Sequence, residues 1–357
     1  MRLLSDSLVD IYIIVAGRVM KKILIFLFII LASIGTAFAT IQDNIDNGIA
    51  WLRSSQNADG SFGNNSELVF RDTSEALTTL GLLNRGSIEY QTGLQWISAS
   101  KANNLDYISR KIFLLGNEGI DASVGVNILI ENQQLNGGWG IASYESDILD
   151  TVIALQALKG VNNSNQTVIE AALEFLLNSQ NPDGGWGFYP ATCSGCNDTD
   201  NSNLYITSLI SSILQQFTQS TPVASAINNA TNYITSKQQP NGGWATIFET
   251  SAAYMALIGV TTDNFLLGNA ITHLLSLQSP DGSWLQDPFS TALALSALYY
   301  SEYKPEPPLS PTTGTLRGRV IDAATNQPLQ GVSERSRDTS HFIDLTASPV
   351  CQYLPRQ

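Results

Sequence analysis

Apolar residues recur along this chain in a two-part pattern, and each part predicts a different kind of helix. The first part is registered on a glutamine. Eight positions before it the residue is small: Gly48, Gly125, Ala172, Ala230, Ala270. Five before, it is mostly aromatic (Trp51, Phe175, Tyr233, with Ile128 and His273 as variants). Four before, it is aliphatic: Leu52, Leu129, Leu176, Ile234, Leu274. Offsets of three and four place these residues on one face of a helix whose other face is polar. After the glutamine comes a turn of Pro, Asn, Asp and Gly, and an aromatic six positions on. The pairs are Gln56 and Phe62, Gln133 and Trp139, Gln180 and Trp186, Gln238 and Trp244, Gln278 and Trp284. Asp-Gly and Asn-Gly mark tight turns because glycine takes a positive φ at little cost.

The second part follows each turn. Segments such as Ala76-Leu77-Thr-Thr-Leu80, Ala154-Leu155-Gln-Ala157-Leu158, Ala253-Tyr-Met-Ala256-Leu257 and Ala294-Leu295-Ser-Ala297-Leu298 are apolar over most of their circumference. They belong inside, and the more polar first helices outside. A worn copy fits the same template: Gly93, Trp96 and Ile97 hold the helix slots, Lys101 the glutamine slot and Tyr107 the aromatic slot. Copies then begin near residues 43, 88, 120, 167, 225 and 265. Twelve helices in six pairs close into a ring, inner helices surrounded by outer ones. An open solenoid is the alternative, but it needs polar end repeats, and neither Ile45–Leu83 nor Leu266–Tyr300 is one.

Composition narrows the setting. The chain has 357 residues, 43% hydrophobic and 14% charged, which is enough for a sizeable core. A net charge of −13 excludes a nucleic-acid partner, which wants a basic face. Three cysteines give neither a disulfide scaffold nor a zinc-finger spacing. Met20-Lys21-Lys22, the apolar run Ile23 to Ile34 and Ala37-Phe38-Ala39 predict an export signal cut after Ala39, with residues 1–19 an upstream extension. The expected location is therefore exported: periplasmic, cell-surface or secreted. An uncleaved membrane anchor is the other reading of the same run.

The Leu/Phe-x3-Gln-x3-Gly-x-Trp pattern resembles the repeats of terpenoid cyclases, squalene-hopene cyclases among them, and of protein prenyltransferase β-subunits. The resemblance covers residues 43–302. It implies an all-α fold, an (α/α)6 toroid of six helix-pair repeats over residues 40–303. It also implies that each glutamine amide bonds to a helix end while the aromatic stacks over it, tying neighbouring repeats together. Residues 304–313 are a Pro-rich linker. Residues 314–357 begin like a carboxypeptidase regulatory-like β-sandwich, with alternation from Gly314 to Val332. Too little chain remains for the other strands, so a truncated module with a disordered tail is expected.

Candidate chemistry gathers at the turns. Asp72, Glu75, Asp147, Asp150, Asp198, Asp200 and Glu249 form an acidic mouth over an apolar cavity in which Tyr254 is an aromatic lining residue. Such a mouth suits a cation or a divalent metal. The plainer account is capping: Asp72-Thr-Ser-Glu75 reads as a capping box, and Asp150, Thr250 and Ser290 fall where N-caps belong. Asp198-Thr-Asp200-Asn201 resembles the Asp-x-Asp-Asp motif with which squalene-hopene-type cyclases protonate an alkene. The match puts Asp200 in the acid's place, but the last Asp is Asn201 here. Cys193-x-x-Cys196 reads as a small disulfide before a metal site, since a tetrahedral site needs about four ligands. Arg110-Lys111 is a basic pair near an inner-helix start, suited to a diphosphate or to a solvated face. No cofactor is called for, and no stable membrane span after signal cleavage. These features predict an exported toroid that binds a small apolar or cationic ligand, or an envelope or surface protein, without catalysis. The alternative is a terpenoid-cyclase-like isomerase using Asp200; a third is a structural surface module.

Overall fold

A computed structural model describes residues 40–140, 146–161, 165–190, 201–217 and 220–302, together with the backbone of 334–336 and 343–345. Twelve helices lie among these residues. The outer ones are α1 (Ile41–Ser54), α3 (Ile88–Ala99), α5 (Ser123–Glu131), α7 (Gln166–Asn178), α9 (Thr221–Ser236) and α11 (Asn264–Ser276). The inner ones are α2 (Val69–Leu83), α4 (Leu105–Asn117), α6 (Ile148–Gly160), α8 (Leu204–Leu214), α10 (Ile247–Leu257) and α12 (Pro288–Glu302). Each inner helix packs on the next, and α12 packs back on α2. The Thr79 hydroxyl bonds the Ala292 carbonyl at 2.9 Å and lies 2.9 Å from the Ser296 hydroxyl across that seam. The ring is closed, so the solenoid alternative falls.

The outer wall is held by one repeated device. The Gln56 amide donates to the Gly60 carbonyl of its own turn at 2.9 Å and to the Glu89 carbonyl of the next outer helix at 2.7 Å. Gln133 does the same to Gly137 and Val168, Gln180 to Gly184 and Ala226, and Gln238 to Gly242 and Leu266. Gln278 reaches Gly282 and then Asn44, on α1, so the last repeat is tied to the first. The turn glycines sit at φ near +90°, and a Cβ on Gly184 would meet the Asn229 carbonyl of the next outer helix. Only glycine allows both the left-handed turn and the close approach.

The aromatics go inward. Trp139, Trp186, Trp244 and Trp284 are buried, and each indole N–H donates to a carbonyl of its own outer helix: Leu129, Leu176, Ile234 and Leu274. Their backbone N–H groups, and that of Phe62, donate to threonines one turn into the inner helices: Thr73, Thr151, Thr207, Thr250 and Thr291. A hydroxyl at that position satisfies a buried donor at the helix entrance.

Four capping expectations are corrected here. Asp72 and Glu75 lie inside α2, whose N-cap position is Leu68, so they form no capping box. Asp150 is in the first turn of α6, and Asp147 is its cap. Thr250 and Ser290 are also inside their helices; Thr246 caps α10, and the Asp287 carboxylate accepts from the Ser290 N–H. Asp147, Thr246 and Asp287, three or four positions upstream, accept the first-turn N–H groups instead, while Leu68 makes no side-chain cap.

The worn hairpin α3–α4 has no glutamine tie. Lys101 is exposed, and Tyr107 belongs to the first turn of α4, stacked on Phe70 at 4.5 Å. Lys111 instead bonds the Ser98 and Ser100 carbonyls at the end of α3. In the second unit, Glu306–Gln357, the described residues form an antiparallel pair, β1 (Glu334–Ser336) with β2 (Ile343–Leu345). Strand-like alternation was expected over Gly314–Val332, which lies outside the described residues, and none after it; a three-residue ladder needs backbone groups and no apolar run. Residues 1–39, and with them the expected export signal, and the Pro-rich linker lie outside the described residues.

Candidate functional site

Inside the ring is a cavity of about 640 Å³, walled by all six inner helices. Leu82, Phe113, Leu114, Ile213, Met255 and Tyr300 line it from the C-terminal halves of these helices, and the charged residues Glu75, Arg85, Arg110 and Glu118 also reach it. The wall is largely apolar and aromatic, as ligand pockets of this size usually are.

At the N-terminal ends of the inner helices, aromatic side chains meet. Tyr205 packs edge-on against Phe248 at 5.5 Å and Phe289 at 6.4 Å, and the Arg71 guanidinium lies 4.1 Å over the Phe289 ring. Each of these four is two residues before one of the threonines that receive a turn aromatic's N–H. That shared register puts them at one level of the barrel. The sequence reading missed this layer, although counting back from the threonines would have found it.

Just below this layer lie Glu75 and Arg110. Their nearest atoms, Glu75 Oε2 and Arg110 Nη1, are 3.9 Å apart, with side chains 17% and 14% exposed. Arg110 donates through Nε to Asp106 at 2.7 Å. Burial raises the Glu75 carboxyl above its usual range, and Arg110 and then Arg71 oppose the rise. Burial likewise pushes the Tyr205 phenol up. At the far end of the cavity Glu118 is held by Arg85 at 2.6 Å and by the Tyr90 hydroxyl.

The expected acidic mouth is rearranged. Asp72, Asp147, Asp150 and Glu249 stand at the helix entrances and do not line the cavity. Asp72 is buried and bonded by Arg71 at 2.7 Å. Asp150 is pushed up to about 7, first by burial and then by Asp147 and Asp106, against the pull of Arg110. Tyr254 is buried in the core and is not a lining residue either. Its place on α10 turns it away from the axis, which Phe248, Ala252 and Met255 face. Of the basic pair, Arg110 points inward and is no solvated residue. Asp198, Asp200, Cys193 and Cys196 lie outside the described residues. Among the described residues no group of three His, Cys, Asp or Glu side chains is disposed to hold a metal.

Comparison with known proteins agrees with this architecture. A profile of the prenyltransferase alpha-alpha toroid domain matches residues 22–107 and 107–255. A drimenyl diphosphate synthase from Streptomyces showdoensis is 28% identical over 185 residues, 46% of this chain; the match spans only 33% of that enzyme. A protein from Actinoplanes superposes with a TM-score of 0.56 at 15% identity, over 72% of this chain and 98% of its own. The ent-copalyl diphosphate synthase of Streptomyces platensis does so with a TM-score of 0.51 at 16% identity, over 66% of this chain and 50% of its own. At these identities the two structures speak to the fold alone.

Proposed function

The chain belongs to the prenyltransferase alpha-alpha toroid family, and from that premise we propose that it is a terpene-cyclase-like module whose barrel holds an isoprenoid chain. The observation that carries this reading is the apolar cavity walled by all six inner helices. The relation to a drimenyl diphosphate synthase supports it and favours an enzyme over a non-catalytic binder. The reaction is an isomerisation. A proton adds to a terminal alkene, π electrons of neighbouring alkenes form ring bonds, and a proton leaves; no atom is gained or lost. Asp200 is the acid in this reading. The wall around the chain excludes water, which would otherwise intercept the cation.

One observation favours a second reading, a toroid that binds without turnover: Asn201 stands where the cyclase motif has its last carboxylate. A single experiment separates them. The purified protein is incubated with farnesyl or geranylgeranyl diphosphate, and dephosphorylated extracts are analysed by gas chromatography and mass spectrometry. The expected result is a cyclic isomer of unchanged mass, reduced at least 100-fold in Asp200→Asn. Saturable binding with no product supports the second reading. Neither binding nor product overturns both.

A further inference from the structure

The inner helices share one register, and it sorts the cavity wall into levels. Arg71, Tyr205, Phe248 and Phe289 stand two residues before the threonines that receive a turn aromatic's N–H. Thr78, Gln156, Ser212, Met255 and Ser296 stand five residues after those threonines, and all of them line the cavity. Phe113 completes this belt, three residues past Arg110 as Thr78 is three past Glu75. Seven residues of helix rise roughly 10 Å, so the belt lies two turns from the aromatic level, within the cavity. Most of its members are polar and none is charged.

Two of the polar members are satisfied by the protein. The Thr78 hydroxyl donates to the Ser74 carbonyl at 2.9 Å, and the Ser296 hydroxyl lies 2.9 Å from that of Thr79. Gln156 and Ser212 are different. Both are half-buried in the wall, on α6 and α8, which pack on each other. Among the described residues neither side chain has a hydrogen-bond partner. Ser74, Ser109 and Ser208, also on inner helices, return their hydroxyls to the carbonyl four residues back; Ser212 does not. An amide and a hydroxyl each offer both donor and acceptor, and leaving them unmet in an apolar wall is costly. Each carboxylate that lines the cavity has an arginine, Arg110 for Glu75 and Arg85 for Glu118. Charge in the wall is thus answered by charge, while these two neutral groups are left open.

We propose that the barrel takes an apolar ligand carrying one uncharged oxygen, a hydroxyl or a carbonyl, and that Gln156 and Ser212 bind that oxygen. The ligand's hydrocarbon packs on Leu209 and Leu293, three residues nearer the aromatic level. A few placed polar groups in an apolar wall fix a ligand's orientation. The inference deepens the reading above by naming the ligand's class, and rests on it only for the hydrocarbon being isoprenoid.

The test uses probes that need no turnover. 1-Octanol and octane share a chain length and differ in the oxygen; headspace gas chromatography above solutions of the full chain measures the binding of each. Gln156→Leu combined with Ser212→Ala is expected to weaken octanol binding about 10-fold, and each substitution alone about 3-fold. Octane has nothing to offer the belt and should bind the variants as well as the wild type or better, which also shows that their cavity is intact. Three results overturn the proposal: octanol binding unchanged in the variants, as a belt that only holds water would give; an equal loss for both probes; or no octanol binding by the wild type. Failure of the cyclase reading looks different: no isoprenoid product, with the selective loss of octanol binding intact.

Discussion

At the scale of single residues, the barrel entrance holds carboxyls under strain from burial and from one another. Asp150 is the clearest. Its pKa rises from 3.8 to about 7 because burial disfavours the anion, with Asp147 and Asp106 adding repulsion. A carboxyl whose folded pKa is raised binds its proton more tightly in the folded state. Its contribution to stability is therefore full below about pH 4 and is lost as pH climbs towards 7. Asp150→Asn removes the charge and keeps the shape. It should stabilise the protein by as much as about 4 kcal/mol at pH 8 and leave it almost unchanged at pH 4. Thermal melts at the two pH values check this, and an equal effect at both would contradict it. The sequence placed Asp150 at a helix start but could not reveal its neighbours, because Asp106 comes from a different hairpin.

At the scale of elements, the turn between outer and inner helix is the unit of construction. Three contacts converge on it: the glutamine amide, the turn glycine and the aromatic N–H groups. The glutamine crosses to the next repeat, so its loss loosens two hairpins at once. Gln238→Ala deletes the bonds to Gly242 and Leu266 and should cost about 1–3 kcal/mol. Gly184→Ala forces a side chain into φ +90° and against the Asn229 carbonyl, and should cost at least as much. Urea midpoints measure both, and wild-type midpoints for either would remove the turn from this role. The spacing of glutamine, glycine and aromatic was legible in the sequence, as was the assignment of inner and outer helices. Helix entrances were not. Asp72-Thr-Ser-Glu75 has the letters of a capping box, yet the chain enters α2 at Leu68 and carries it inside.

At the scale of the whole molecule, closure matters most. Gln278 binds Asn44, and Thr79 binds Ala292, so the two ends of the helical array share one seam. A closed ring has no free end from which to fray, unlike a solenoid. Unfolding should therefore be a single transition, with tryptophan fluorescence and far-ultraviolet circular dichroism superimposing in urea. Thr79→Val should lower that one midpoint by about 1 kcal/mol without splitting it; two separated transitions would contradict a ring held at its seam. Closure also creates the cavity, since only a complete circle of inner helices encloses space on its axis.

The sequence by itself determined the repeat, the helix count and the division into inner and outer layers. Those properties are periodic, and periodicity is local information: small and large apolar residues three and four apart, a glycine where φ is positive, an aromatic where a turn is buried. Tertiary structure alone decided which side chains meet on the axis. Glu75 and Arg110 are 35 positions apart in the chain, and their approach depends on how α2 and α4 are rotated within the ring. Closure fixes that rotation, because each helix must satisfy both neighbours at once.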